Sequence, residues 1–496
     1  MPGKILFVNQ PVSLDKRYAA QSRFANHTTP LTLCHLASLT RKHGFPSAIL
    51  DAAMLGLTME ETVNKIVEEE PSYLALYATT VTIEEAAILT TEAKRWLPHL
   101  LVLVGGIHLT AVPLETMQHY RTFDIGGVGE GDLTILHVLE ALEQGSHLDS
   151  VPGIVFRRGN DLILTEASEP VADLNGLPMP AFDLLKGFPR AYIPPFFGYT
   201  TLPIATAVVS RGCPAQCLFC RAGIFGDRNL RQYSPKYIVE LMRYLKTKHG
   251  VRQVLFYDDD FAMFKKHTKE LCERLIQADI GVTWSCNTRV IDVDQDLLQI
   301  MARAGCWQIS YGVESGSQRV LNAMRKGTTL GLIDRAMRWT KEAGIRTNGY
   351  FLLGFPTETK EEIEETIRFA KRLPLDIFQC TLFTPFPSLP FSKEVEKFGK
   401  WQSKEWSDLN IFNPVFVTGE LTADELEYFK RKAWREFYFR PGIQLNLLFM
   451  LWRHPAVIGH YLRTALGFAK FVFSRLDRGH GFVAGLPKPT VTAEAD

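Results

Sequence analysis

Short apolar runs alternate with amphipathic segments along the first part of the chain. Lys4–Asn9 and Leu100–Val104 have the pattern of buried strands, whereas Leu31–His43 and Ile83–Trp96 place apolar residues at helical spacing. Apolar strands separated by amphipathic helices are typical of a parallel sheet that helices cover on both faces. Residues 1–145 are therefore predicted to form an α/β domain with a doubly wound, Rossmann-like parallel sheet, whose ligands lie at the carboxyl ends of the strands.

The same alternation starts again near residue 204. Six further apolar runs are predicted as strands: Ile204–Ser210, Gln253–Tyr257, Thr283–Cys286, Gln308–Tyr311, Thr347–Leu353 and Ile377–Phe383. Because six βα units fall short of the eight that close a TIM-type barrel, residues 201–392 are predicted to form a partial (β/α)6 barrel. Functional side chains are expected directly after its strands.

Two segments do not follow the alternation. Residues 146–200 are richer in proline, glycine and aspartate, and are predicted to be a linker with a small β-element. Residues 393–496 are predicted to be mostly helical, with a flexible tail after Gly481. Within them, 443–476 combines aromatic and aliphatic residues with scattered basic ones. This segment fits either a helix pair packed on the barrel, which we prefer, or amphipathic helices lying in a membrane interface.

Composition limits the function. The chain has 496 residues, 46% of them hydrophobic and 22% charged, which is typical of a globular protein with several domains. Its net charge of +1 provides no bulk attraction to nucleic acid, so no nucleic-acid partner is expected. The sequence shows no signal-peptide pattern and no long uninterrupted apolar run. We therefore expect a cytoplasmic protein, with peripheral membrane contact through 443–476 left open.

Three of the eight cysteines are close together in the sequence, namely Cys213, Cys217 and Cys220. They follow the first predicted barrel strand, and such clustering indicates metal binding rather than a disulfide framework. Three thiolates can hold three irons of a cubane and leave the fourth open, whereas Fe–S clusters normally take four cysteines. A zinc site is the alternative, but His249 and His267 lack the close spacing of a second ligand pair.

This CxxxCxxC spacing, with Phe219 before the last cysteine, resembles the radical S-adenosylmethionine (SAM) superfamily. The resemblance implies a [4Fe–4S] cluster on the three cysteines, with SAM chelating the open iron. It also implies an external electron donor of the flavodoxin or ferredoxin type, and cleavage of SAM to a 5′-deoxyadenosyl radical that abstracts a substrate hydrogen.

Residues after the later strands extend the resemblance. It implies SAM contacts at Phe219, Asp258, Asp259, Asp260, Arg289, Glu314 and Gly354. Some of these positions have simpler explanations. Asp260 could cap a following helix, Arg289 could be a surface residue, and Glu358, beside Gly354, could cap the next helix.

The N-terminal domain resembles the cobalamin-binding class of this superfamily through three loops that leave one edge of the predicted sheet. The cobalamin contacts that this implies are Thr79, Thr80, Gly105, Gly106, His108, Thr110, Gly129, Glu130 and Gly131. The DxHxxG motif that supplies a histidine to cobalt is absent, so no cobalt ligand from that motif is expected. The alternative is a degenerate domain that only covers the barrel.

The resemblance covers about residues 1–390, although the family's PxPGT element is altered to Pro385–Pro390, without its glycine and threonine. It implies a methyltransferase that adds a methyl group to an unactivated carbon of a small-molecule, lipid or tetrapyrrole-like substrate. A cyclase, oxidase or rearrangement enzyme without methyl transfer, and a non-catalytic Fe–S or cobalamin sensor, are the alternatives.

Overall fold

The computed structural model describes residues 2–194, 198–225, 228–387, 389, 392–419 and 421–473. Its strands are β1 (Ile5–Asn9), β2 (Ser47–Asp51), β3 (Tyr73–Tyr77), β4 (Leu101–Gly105), β5 (Ile125–Gly127), β6 (Ile154–Arg158), β7 (Asp161–Leu164), β8 (Ile204–Ala207), β9 (Ser210–Arg211), β10 (Arg231–Gln232), β11 (Gln253–Phe256), β12 (Thr283–Thr288), β13 (Cys306–Glu314), β14 (Arg346–Leu353), β15 (Ile377–Leu382), β16 (Gly399–Trp401) and β17 (Phe416–Thr418).

The α-helices lie between and after these strands. They are α1 (Leu14–Tyr18), α2 (Leu31–Lys42), α3 (Ala52–Leu55), α4 (Met59–Glu69), α5 (Ile83–Trp96), α6 (Ile107–Ala111), α7 (Pro113–His119), α8 (Gly131–Gln144), α9 (Pro235–His249), α10 (Lys265–Ala278), α11 (Gln295–Arg303), α12 (Gln318–Ala323), α13 (Leu330–Glu342), α14 (Lys360–Arg372), α15 (Ala423–Tyr438), α16 (Pro441–Arg453) and α17 (Ile458–Phe473).

The first sheet has the strand order β2-β1-β3-β4-β5-β6-β7. Its first five strands are parallel, as predicted, and their apolar residues are buried between helices. The β-element predicted in the linker is the β6–β7 hairpin. It pairs antiparallel with β5 and so extends this sheet. The backbone groups that β5 would otherwise leave unpaired at the sheet edge are thereby hydrogen-bonded.

The second sheet contains the six predicted barrel strands in the order β15-β14-β13-β12-β11-β8, all parallel. It curls into a half-barrel, which confirms the predicted partial barrel. Helix starts follow local capping chemistry: Ser234 caps α9 just before Pro235, and Thr359 with Glu362 forms a capping box on α14. These caps fix where each helix begins, and hence how far each preceding loop extends.

The C-terminal region connects the barrel to the first domain. The Asn410 side-chain amide donates to the backbone carbonyls of Lys16 and Arg17, at 2.9 and 2.7 Å. Helix α17 packs on the segment at 19–24, where the backbone of Arg23 lies too close to Gly467 for any side chain at that glycine. The Tyr461 hydroxyl donates to the carbonyl oxygen of Tyr199 at 2.8 Å.

One side of the segment predicted at 443–476 therefore packs against the protein. No helix among the described residues is long and apolar enough to cross a membrane. Residues 474–476 and the tail predicted after Gly481 lie outside the described residues.

Candidate active site at the domain junction

A cavity of about 670 Å³ lies between the carboxyl ends of the two sheets. Both domains line this cavity. Tyr77, the last residue of β3, lies on one side, and Tyr257, directly after β11, lies on the other. Residues predicted for two different cofactors meet there. They are Gly105, Gly106, Gly129, Glu130 and Gly131 from the first domain, and Cys220, Asp258 and Asp259 from the barrel. The remaining predicted residues lie outside this lining.

The cysteine loop leaves the barrel just after β9. Gly212 has φ +91°, a conformation that favours glycine, and turns the chain into the loop. Cys213 and Cys217 are buried, whereas Cys220 is exposed and lines the cavity. Although Cys220 keeps accessible surface, the protein around its sulfur desolvates the thiolate and raises the pKa of the thiol to about 11. A thiol with a raised pKa stays protonated at neutral pH unless a metal or a nearby cation stabilises the thiolate.

The donor set fits a cubane better than zinc. In the described part of the chain, no group of three or more His, Cys, Asp or Glu side chains is arranged to hold a single metal ion. His267 Nε2 donates to the Tyr233 carbonyl at 2.8 Å, and His249 Nε2 lies 3.2 Å from the Tyr244 hydroxyl. Neither histidine therefore provides the fourth ligand that a zinc site would need. Three cysteines suffice for a cubane with one open iron.

The three consecutive aspartates after β11 occupy different environments. Asp258 is buried and accepts hydrogen bonds from the Val209 amide at 2.9 Å and the Ser210 hydroxyl at 2.5 Å. Its other oxygen has no partner, and burial raises its pKa to about 7. Asp259 is exposed to the cavity, and its pKa is raised by desolvation and by Asp260.

Asp260 supports β12 instead of a helix. Its Oδ1 accepts from the Thr288 hydroxyl at 2.7 Å, and helix α10 begins only at Lys265, without a side-chain cap. The helix-capping alternative for Asp260 is therefore wrong. Asp260 lies beside Asp292, whose pKa is raised to about 7 by burial and by Asp260. A protonated Asp292 can donate to Asp260, so this buried carboxylate has a partner within the protein.

Arg289 and Glu314 both contact the segment around residue 326. Arg289 is half-buried and donates to the Lys326 carbonyl at 2.8 Å, so it is not a free surface arginine. Glu314 has φ +66°, rare for a side-chain-bearing residue, and pairs with Lys326 Nζ at 2.7 Å. The Lys326 ammonium also lies 5.6 Å from the ring centroid of Phe219. Lys326 thus links two predicted SAM residues, although sequence analysis did not identify it.

Gly354 lies in a tight turn that Glu358 stabilises. The Gly354 and Phe355 amides donate to one Glu358 oxygen, at 2.6 and 3.3 Å, and the other oxygen is buried without a partner. Burial raises the pKa of Glu358 to about 8. Helix α14 is capped by Thr359, so the helix-capping alternative for Glu358 is wrong.

A side chain at Gly354 would point at Leu426 of α15, 3.0 Å away. Because Gly354 has no side chain, α15 can pack closely against this turn. The SAM contact that the resemblance implies at Gly354 stays a prediction.

The glycine-rich loops of the first domain differ in what surrounds them. A side chain on Gly105 would meet nothing within 4 Å, and this glycine lines the cavity. Gly106 has φ +113°, and a Cβ there would lie 2.6 Å from the Ala78 carbonyl oxygen. Thr110 connects two of the loops, because its hydroxyl donates to the Gly106 carbonyl and accepts from the Gly129 amide.

Thr79 and Thr80 follow β3. The Thr79 hydroxyl lies 3.1 Å from that of Thr82, and the Thr80 hydroxyl accepts from Arg221 at 3.5 Å. Arg221 comes directly after Cys220. Its guanidinium also donates to the Ile107 carbonyl at 3.3 Å. The last cysteine of the metal-binding loop is therefore joined, through the next residue, to two of the predicted cobalamin loops.

His108 does not line the cavity. It is fully buried in α6, and its ring packs edge-on against Trp406, with the ring centroids 4.5 Å apart. Burial, aided by Arg221, lowers its pKa to about 3, so the ring is neutral at neutral pH. His35, which sequence analysis did not identify, is a histidine that does line the cavity.

An ion-pair cluster joins the domains beside the cavity. Arg211 donates to both oxygens of Asp132, at 2.6 and 3.2 Å, and to Glu130 at 3.4 Å. Arg231 pairs with Glu130 as well. Glu130, predicted as a cobalamin contact, therefore has two arginine partners from the barrel. Sequence analysis did not identify these long-range pairs, although Arg211 lies only two residues before Cys213.

The residues present fit the implied cofactors. Three cysteines without a fourth ligand suit the cluster, and Asp258, which has one carboxylate oxygen without a partner, lines the cavity just after β11. The glycine edge of the first sheet leaves open space in a cavity of a size suited to a cofactor.

Comparison with known proteins agrees with this geometry. Residues 207–370 match the radical SAM superfamily, and residues 20–139 match the B12 binding domain. An uncharacterized methyltransferase of Pyrococcus horikoshii is 29% identical over 440 residues, which cover 88% of this chain and 93% of that protein. The anaerobic magnesium-protoporphyrin IX monomethyl ester cyclase of Cereibacter sphaeroides is 28% identical over 436 residues, covering 86% and 69% of the two chains.

Solved structures share the fold. The radical SAM methyltransferase TsrM from Kitasatospora setae, solved with cobalamin and a [4Fe–4S] cluster, superposes with a TM-score of 0.69 at 16% identity, covering 89% of this chain and 90% of that one. The two matched domains imply a [4Fe–4S] cluster, SAM and cobalamin as cofactors. The chain is therefore a radical SAM enzyme that carries a B12-binding domain ahead of its barrel.

Proposed function

We propose that this enzyme methylates an unactivated carbon of a small-molecule, lipid or tetrapyrrole-like substrate. The observation that carries the proposal is the shared cavity, because residues predicted for the cluster, for SAM and for cobalamin line one space. When bound, the cluster and SAM supply hydrogen abstraction from carbon, and cobalamin supplies a methyl group. Methyl transfer requires these two capacities next to the same substrate carbon.

The protein's own residues have separate tasks in this proposal. Cys213, Cys217 and Cys220 hold the cluster, with Cys220 on the cavity side. Asp258 lines the cavity with one carboxylate oxygen that has no partner, and it is assigned to the donors on SAM, with Arg289 assigned to the SAM carboxylate. These assignments follow the family motifs, and Asp260, which lies outside the cavity lining, is assigned to SAM by its motif alone.

The first domain positions the second cofactor. The glycines at residues 105, 129 and 131 line the cavity and have no side chains of their own. Their backbone can therefore come close to a flat macrocycle. Arg221 and the Arg211–Asp132 pair hold this edge against the cysteine loop. The distance between the two cofactors is then set by contacts of the protein.

The test is transfer of an isotopically labelled methyl group. Anaerobic, reconstituted protein is incubated with methyl-deuterated SAM, a flavodoxin or ferredoxin reducing system and cell extract, and the products are compared by mass spectrometry. We expect a labelled product and 5′-deoxyadenosine, both absent with the triple Cys213, Cys217 and Cys220 variant. Formation of 5′-deoxyadenosine without label in any product would contradict methylation.

A reaction without methyl transfer is the second candidate function. The similarity to the cyclase of Cereibacter sphaeroides, over 86% of this chain, favours oxidation or ring closure of a tetrapyrrole-like substrate without methyl transfer. A product that lacks two hydrogens, or gains an oxygen, would identify that reaction. An external flavodoxin or ferredoxin as electron donor and a cytoplasmic location complete the proposal.

A further inference from the structure

Helices α16 and α17 leave large apolar side chains in water. These side chains, with their exposed fractions, are Leu445 (66%), Leu448 (62%), Phe449 (50%), Trp452 (74%), Leu462 (62%) and Leu466 (72%). The four on α16 follow the spacing i, i+3, i+4 and i+7, so they share one face of the helix. Leu462 and Leu466 are spaced i, i+4 and share one face of α17. We call these six side chains the outer face. Clustered exposed apolar side chains of this kind mark a protein or membrane contact.

The outer face is not the side that holds these helices to the protein. On α16, Met450 is buried and the Asn446 amide bonds to Asp376 at the barrel. On α17, Tyr461 and Phe471 are buried, and Phe468 packs edge-on against Phe24. Both helices are therefore apolar on two sides, and packing accounts for only one of them.

The charges around the outer face have one sign. Residues 441–473 contain no aspartate or glutamate, whereas Arg453, Arg463 and Lys470 are all exposed. The Arg453 guanidinium lies 4.7 Å from the ring centroid of Phe449. Basic side chains beside aromatic and aliphatic ones allow the apolar part to enter a lipid layer while the charges stay at the headgroups.

We propose that α16 and α17 dock this enzyme on the surface of an anionic phospholipid bilayer, lying in the interface plane. An apolar face on helices whose charged side chains are all basic is complementary to an anionic headgroup layer, and no helix among the described residues could span the bilayer. Membrane docking of this kind does not depend on which reaction the cavity supports.

The experiment is flotation of the full-length holoprotein with vesicles. We expect binding to vesicles of phosphatidylcholine with phosphatidylglycerol, weaker binding to phosphatidylcholine alone, and loss of binding at high salt. The double variant Leu448→Ser, Trp452→Ser should lower the ratio of bound to free protein about tenfold or more. The matched control is Ile88→Ser, Trp96→Ser, which removes two exposed apolar side chains from α5 and should bind as the unaltered protein does.

Charge is tested separately. Arg463→Glu, Lys470→Glu should also lower binding, whereas Lys266→Glu, Lys269→Glu on the exposed side of α10 makes the same change in charge away from the outer face. A thermal melt of each variant checks the fold, and if the apolar pair unfolds, the charge pair and Leu448→Ser alone carry the test. Deleting the whole segment is a poorer experiment, because Tyr461 and Phe471 are part of the core.

Three results would overturn the proposal. The unaltered protein could fail to bind vesicles at all, or the outer-face variants could bind as well as their controls. Light scattering could instead show a dimer that Trp452→Ser separates, with no vesicle binding, which would assign the face to a second copy of the chain.

Discussion

Arg211 donates two hydrogen bonds to Asp132, from Nη1 to Oδ2 at 2.6 Å and from Nη2 to Oδ1 at 3.2 Å. Arg211 ends β9, two residues before the first cysteine of the metal-binding loop, and Asp132 lies in the first turn of α8 in the B12-binding domain. A bidentate arginine–carboxylate pair restrains both distance and angle. The two cofactor-binding regions are therefore aligned by a direct contact between their own flanking residues.

We expect Asp132→Asn to destabilise the protein by about 2 kcal/mol, because it removes the closer of the two carboxylates that pair with a largely buried arginine and leaves only Glu130, at 3.4 Å. Although burial alone raises the pKa of Asp132, Arg211 brings it below the ordinary value. The contribution of this pair is thus present at neutral pH and lost as the solution is acidified through that lowered pKa. Urea unfolding at several pH values measures it.

The control for that variant is Asp334→Asn. Asp334 pairs with Arg338 on the exposed side of α13, where such pairs contribute about 0.5 kcal/mol or less. Equal losses in the two variants would show that the domain junction is not held by the Arg211–Asp132 pair.

Replacing Cys213, Cys217 and Cys220 with alanine should abolish iron binding, since each thiolate holds one iron of the cubane. Cys272→Ala and Cys380→Ala should keep about four irons per chain, because both residues are buried in a helix or strand of the core. Iron analysis and the spectrum of the reduced protein measure the difference. Retention of iron by the triple variant would refute the cluster assignment.

Gly105→Leu should weaken cobalamin binding about tenfold or more, because the new side chain extends into the cavity without striking the protein. Gly106→Val is a less specific test, since its Cβ would collide with the Ala78 carbonyl and disturb the loop itself. Gly331→Leu, at an exposed position of α13 with open space around it, is the matched control. Titration of the apoprotein with cobalamin measures all three, and unchanged affinity in Gly105→Leu would remove this edge from the binding site.

His108→Ala should leave the spectrum of bound cobalamin unaltered, because His108 packs on Trp406 and does not line the cavity. We expect a base-off spectrum in both proteins. The variant should still lose stability, since it removes a buried ring from the contact between α6 and the C-terminal region. A histidine-ligated spectrum that disappears in His108→Ala would show that the loop is arranged differently when cobalamin is bound.

Glu358 should make stability depend on pH. Burial raises its pKa from 4.5 to about 8, so between these values the unfolded chain has released a proton that the folded protein retains. Stability attributable to Glu358 therefore falls as pH rises, by up to about 1.4 kcal/mol per pH unit, and is level above about pH 8. Glu358→Gln should remove this slope, and Glu361→Gln, on the exposed side of α14, is the control for the loss of one charge.

The periodicity of the sequence predicted the two parallel sheets well. The helix Ile83–Trp96 begins and ends where the pattern placed it, because its apolar stripe and first-turn acids are local signals. The pairing of the β6–β7 hairpin with β5 was missed, since it depends on hydrogen bonds between segments about 30 residues apart that no side-chain pattern encodes.

Sequence motifs identified part of the cavity lining. Cys220 and Asp258, both named from motifs, line the cavity, and their contacts with cofactors stay predictions. Lys326, Arg221 and Arg231 were not found, because their roles come from partners that only the fold brings near, such as Glu314 for Lys326. The position of Arg221 directly after the last cysteine was the one local signal available for it.

The hydrogen bonds from Asn410 to the carbonyls of Lys16 and Arg17 bear on how the chain is made. The first domain leaves the ribosome long before residue 410 is synthesised, so its surface around Lys16 and Arg17 stays uncovered in the meantime. Closing a loop of nearly four hundred residues is also entropically demanding. We therefore expect nascent chains that stop before this residue to expose the junction to chaperones and proteases, so that a prematurely terminated message would yield little surviving protein.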